Sequence, residues 1–191
     1  MNASKSTELL LKTHQFEENN IPCLCIKPSI DNRDSVDEIV SRTGLRHKCI
    51  SISIDTDIEK SMVNYFKQLE MEFKPKPRWI LLDEAQFLTT EQVNQLGRIV
   101  DKLGVNIICY GLRTNFKTEM FEGSKRLFEI ADNVEEINAS CRCGEKAIFN
   151  ARIGNEGLTT TGDEIVIGGN SIYKPLCRKC FNEMFEKKKE N

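Results

Sequence analysis

The sequence predicts an α/β protein: a mostly parallel sheet with helices on both faces, followed by a small cysteine-bearing unit. Three observations carry this. Apolar strand-like runs alternate with helical stretches along most of the chain, the pattern that builds parallel sheets. One run, Trp79-Ile80-Leu81-Leu82, is apolar throughout, as a strand buried on both faces must be, and closes on Asp83-Glu84. After about Ser140 the composition changes, and two closely spaced cysteine pairs follow.

Taken in order, Lys5 to about Glu17 reads as a helix with Leu9, Leu10 and Phe16 among its apolar positions. Pro22 to Lys27 is a short buried strand, which makes Cys23 and Cys25 core thiols. Pro28 to Gly44 is polar and loop-like. Cys49 to Ser53 alternates as a strand, and Asp55 to Glu72 is helical. Pro75 and Pro77 separate that helix from the carboxylate strand. Thr89 or Thr90 caps the next helix, with Glu91 in its first turn. Gly104 ends it after Leu103, and Val105 to Tyr110 is another buried strand.

The chain has 191 residues and a net charge of −2. That length suits one α/β domain with a small appendage, divided here as 1–139 and 140–191. The charge gives no electrostatic case for nucleic acid or a membrane surface, and the lysines at 187–189 read as a solvated helix end. No apolar run approaches the roughly 20 residues of a membrane span, and no secretory leader is evident. Cytoplasm is the expectation. Eight cysteines in such a chain suggest metal ligands or buried thiols before disulfides.

Two motifs point to chemistry. In open α/β sheets ligands gather at the carboxyl ends of strands, so Asp83 and Glu84 arrive where a reaction would occur. An acid closing an apolar strand is also the magnesium-holding element of phosphate-loop nucleotidases. At the start of the chain, Lys5-Ser6 fits the end of the pattern G-x-x-x-x-G-K-[ST], and a helix opens there. Its free N–H groups and positive dipole end would face a phosphate. Ser4 stands where the second glycine belongs, and the first would precede Met1. At the other end, Cys141-x-Cys143 and Cys177-x-x-Cys180 form a tetrahedral zinc set pinning the base of a long loop, with Gly168-Gly169 near its tip.

Together these residues resemble the type II thymidine kinases, closest to the bacterial branch, with a phosphate-loop, RecA-like core and a zinc-ribbon lasso unit. The likeness runs through residues 1–7, Asp31-Asn32-Arg33, Ser41-Arg42-Thr43-Gly44-Leu45, Asp83-Glu84-Ala85-Gln86-Phe87, Tyr110 to Phe116, the four cysteines, and Ile167 to Tyr173. The resemblance implies transfer of the ATP γ-phosphate to the thymidine 5′-hydroxyl. Glu84 is then the base. Asn2, Ala3, Ser4, Lys5, Ser6, Thr7, Asp31, Arg33, Asp83, Glu84, Ala85 and Gln86 surround ATP and magnesium. Met1, Phe87, Phe116, Phe121, Ile167, Gly168, Gly169 and Tyr173 surround thymidine, although each phenylalanine suits core packing as well. The likeness also implies a homotetramer and feedback inhibition by thymidine triphosphate.

One departure and two rivals accompany the likeness. The family's first strand and loop glycine would lie before Met1, which leaves an unfilled place inside the sheet; a start codon placed too late is expected, with a real truncation as the alternative. Asp83-Glu84-Ala85-Gln86 also suits a nucleic-acid-stimulated NTPase, but one lobe and no basic groove oppose that. A zinc-ribbon protein with a dead nucleotide site is the other rival.

Overall fold

The computed structural model describes residues 4–30, 36–154, 157–159, 161–162 and 173–189. Among them, four parallel strands make the central sheet, in the order β4 (Ile50–Ile52), β1 (Cys23–Pro28), β5 (Trp79–Leu82) and β6 (Asn106–Cys109). The sheet is continuous. Ile26 pairs with both Ile50 and Leu82, and Leu82 in turn pairs with Cys109. Among the described residues the unpaired edges of this sheet are the outer ones of β4 and β6.

Because successive side chains on a strand point to opposite faces, one apolar run feeds two cores. Ile80 and Leu82 of β5 face one side with Ile26, and α2 (Ile58–Met71) and α3 (Thr90–Leu103) cover it through Ile58, Met62, Val93, Leu96 and Ile99. Leu81 and Cys25 face the other side, under Leu9, Leu10 and Phe16 of α1 (Lys5–Glu18). The Phe16 and Trp79 rings stack there at 5.2 Å. Each fully buried Leu or Ile contributes about 1.5–3 kcal/mol to this two-sided burial. Cys25 is a core thiol as expected, whereas Cys23 is only half-buried.

Helix boundaries follow local chemistry. Asp57, two residues beyond the expected Asp55, caps α2 by accepting from the Lys60 N–H. Thr89 and Gln92 form a reciprocal capping box at α3, and Gly104 closes that helix at φ 61, a left-handed conformation that suits glycine.

Two segments differ from expectation. The stretch read as loop from Pro28 to Gly44 contains β2 (Glu38–Val40), which pairs with β3 (Arg46–Lys48) in an antiparallel hairpin. A single apolar side chain anchors it: Ile39 is buried under α1, too little periodicity to register in a polar sequence. The second is α4 (Glu122–Ile130), a helix that the sequence reading did not anticipate. Its Glu122 accepts from the Thr90 N–H, and Gly123 lies against the backbone after β5.

The C-terminal part is a small antiparallel region. Strand β7 (Ala139–Ser140) pairs with β8 (Lys146–Ala147). Strand β9 (Phe149–Gly154) lies between β10 (Gly157–Thr159) and β11 (Tyr173–Leu176), all antiparallel. Helix α5 (Arg178–Lys189) follows. Its core is small: Ala151, Leu158 and Leu176 with Cys141, Cys177 and Cys180.

Candidate active site

The carboxyl end of β5 is pinned on both sides. The Asp83 N–H donates to Ile26 O of β1 across 2.9 Å, and the Ala85 N–H donates to Tyr110 O, just past β6, also across 2.9 Å. Between these tethers the chain must turn sharply. Glu84 does so at φ 50, ψ 39, a left-handed conformation costly for a residue with a Cβ. A single 3₁₀ turn, Ala85–Phe87, follows. Asp83 and Glu84 are both buried.

The turn brings Asp83 to the start of α1. The Ser6 hydroxyl donates to Asp83 Oδ2 across 2.6 Å, and the Glu84 N–H donates to Oδ1 across 2.9 Å. Burial first, and the adjacent Glu84 carboxylate second, push the Asp83 carboxyl up to about 6; Ser6, Lys5 and the Glu84 N–H oppose that rise. Ser4, one residue before α1, is left-handed at φ 54, ψ 25. This is the position where the phosphate-loop pattern asks for glycine. Ser6 Oγ and Asp83 Oδ2 are hard oxygen donors side by side, the ligand type that magnesium takes.

Gln86 is buried, and both ends of its amide are engaged. Its Nε2 donates to Glu84 Oε2, and its Oε1 accepts the Leu112 N–H across 3.0 Å. Phe87 and Phe121 meet edge to face at 6.0 Å just beyond the turn. Phe116 is buried, with the Lys117 ammonium 5.6 Å and the Arg152 guanidinium 5.1 Å from its ring centre. Arg152 belongs to β9, where it pairs with Tyr173, so the C-terminal fold reaches the 110–121 loop through this contact. Asn150 Nδ2 adds a long bond to Thr114 O.

The four sulfurs of Cys141, Cys143, Cys177 and Cys180 lie within 4.8 Å of one another. Tetrahedral zinc with Zn–S near 2.3 Å needs sulfurs about 3.8 Å apart. Cys143 and Cys177, at 3.6 Å, already meet that spacing.

The fold thus gathers Ser4, Lys5, Ser6, Asp83, Glu84, Ala85 and Gln86 at one end of the sheet. Phe87 and Phe121 sit beside them, and the four cysteines form one cluster. Met1, Asn2, Ala3, Asp31, Arg33, Ile167, Gly168 and Gly169 lie outside the described residues. The sequence gives no sign of Ser124 or Arg152: Ser124 donates to the Leu112 carbonyl and Arg152 lies over the Phe116 ring, long-range contacts that leave no local signature.

The thymidine kinase family model matches residues 1–181. A thymidine kinase of enterobacteria phage T4 is 45% identical over 188 residues, covering 98% of this chain and 94% of its own. One from Listeria monocytogenes serovar 1/2a is 43% identical over 182 residues, covering 94% and 91%. One from Haemophilus influenzae strain 86-028NP is 41% identical over 185 residues, covering 96% and 92%. With a family model matched over residues 1–181 and relatives above 40% identity over most of the chain, the chain belongs to the thymidine kinase family.

Proposed function

We propose that this thymidine kinase moves the γ-phosphoryl group of ATP to the 5′-hydroxyl of thymidine with Glu84 as general base. The observation that carries the reading is the position of Glu84. It follows Asp83 directly at the carboxyl end of β5, opposite the N-terminus of α1 where Ser6 meets Asp83. Lys5 and the first N–H groups of α1 would hold the phosphates. Ser6 and Asp83 would hold magnesium, which supplies charge neutralisation on the transferring group. Glu84 would accept the proton of the attacking hydroxyl. In a loose transition state most of the acceleration comes from positioning and electrostatics, and this turn provides both.

The aromatic pair Phe87 and Phe121, with Phe116 and Tyr173, would form the nucleoside end of the site. The four cysteines hold one structural zinc, with no open position for chemistry. In this reading residues 1–139 are the nucleotide-binding unit, and 140–191 are the zinc-held lasso unit. A homotetramer, inhibition by thymidine triphosphate and a cytoplasmic location belong to the same proposal. No helix among the described residues is long and apolar enough to cross a membrane.

Glu84→Gln tests the assignment. Its carboxamide keeps the shape but cannot take the proton, so turnover should fall by about 10²–10⁴ while thymidine binding persists. Near wild-type turnover would remove Glu84 from the role.

A further inference from the structure

We infer that Gln86 is the positioning residue of Glu84: its amide holds the base carboxylate and anchors it to the loop after β6. The inference rests on Glu84 being the base. A residue in the left-handed region is held by its surroundings rather than by its own preference, so its side chain needs an external reference. Gln86 supplies one. Its Nε2 donates to Glu84 Oε2, and its Oε1 accepts from Leu112 N.

The orientation of that amide is dictated by its neighbours. A backbone N–H only donates and a carboxylate accepts, so an exchange of the amide oxygen and nitrogen would set like groups against each other at both ends. The far end of the relay is fixed as well. Ser124 of α4 donates to Leu112 O across 2.6 Å, so the Leu112 residue is held through both its N–H and its carbonyl. Gly111 permits the approach: a Cβ there would lie 3.1 Å from Gln86 Oε1 and 3.2 Å from Gln86 N. The chain Ser124, Leu112, Gln86, Glu84 thus carries the position of α4 to the proton acceptor. Gln86 spends both ends of its amide on the protein, which fits a task in the geometry of Glu84.

The test is a double-mutant cycle on the full chain. Gln86→Met keeps length and volume but removes both the donor to Glu84 and the acceptor for Leu112 N. It should lower kcat by about 10–100-fold, with both KM values within about threefold of wild type. In a Glu84→Ala background, where the amide has no carboxylate to hold, the same substitution should cause no further loss in residual kcat. An equal fold-loss in both backgrounds, or a loss confined to KM, overturns the inference. Turnover retained in Glu84→Ala alone overturns the base assignment instead, which separates the two failures. If Gln86→Met does not fold, Gln86→Leu likewise removes the amide without adding a charge beside Glu84, and the same cycle applies.

Discussion

Ser6 and Asp83, 77 positions apart in the chain, share a 2.6 Å hydrogen bond between the first turn of α1 and the end of β5. It joins the phosphate-facing helix to the strand that delivers the acids. Burial and the adjacent Glu84 carboxylate make the fold resist ionisation of Asp83, and the Ser6 bond offsets only part of that.

That resistance is measurable. Asp83 rises from an ordinary 3.8 to about 6 in the folded protein. A carboxyl raised in this way lowers stability as pH climbs from the first value to the second, and the deficit is complete above about 6. Asp83→Asn should therefore stabilise the protein without ATP or magnesium by about 1–2 kcal/mol at pH 8. The gain should vanish near pH 3.5, and the variant should be inactive as a kinase. Urea unfolding at the two pH values checks this; equal stability of both proteins at pH 8 would contradict it.

Ser4→Gly should stabilise the protein by about 0.5–1 kcal/mol, because glycine adopts the left-handed region without the Cβ penalty. The gain is less than the full penalty, since glycine also loses more freedom on folding. If Ser4 crowds the phosphates as well, the KM for ATP falls too. A melting curve and an ATP titration decide between strain alone and strain with crowding, and an unchanged melting temperature would count against both.

Gly123 lies in the first turn of α4, where a Cβ would sit 2.5 Å from Leu88 O and 2.9 Å from Ala85 O. Both are backbone atoms, so the helix must move. Gly123→Ala should cost about 1–3 kcal/mol and lower kcat, since α4 bears directly on the turn that holds Glu84. Urea denaturation with steady-state kinetics reads both; a neutral result would mean that α4 shifts independently of the site.

Removal of zinc should act on stability rather than chemistry. Cys141, Cys177 and Cys180 form much of the small C-terminal core, so without metal that fold keeps few apolar contacts. Cys177→Ser should lower metal content from one zinc per chain and open the segment between Cys143 and Cys177 to protease. Elemental analysis and limited proteolysis check it. Full zinc retention with an unchanged digest would exclude Cys177 as a ligand.

The sequence by itself determined the α/β class, the helix start capped by threonine at 89 or 90 and its stop at Gly104, the two-faced strand Trp79–Leu82, the acids at its end, and the grouping of the cysteines. All of these depend on local pattern: run length, capping chemistry and short spacings that hold in any context. Tertiary structure decided the rest. It placed Ile39 under α1 and so made a hairpin of a polar stretch. It left the sheet continuous and turned Glu84 left-handed between tethers to Ile26 and Tyr110. It also spent the Gln86 amide on Glu84 and Leu112. Such outcomes hang on single side chains meeting backbone groups far away in sequence. A one-dimensional pattern carries no record of a contact until packing brings its two ends together.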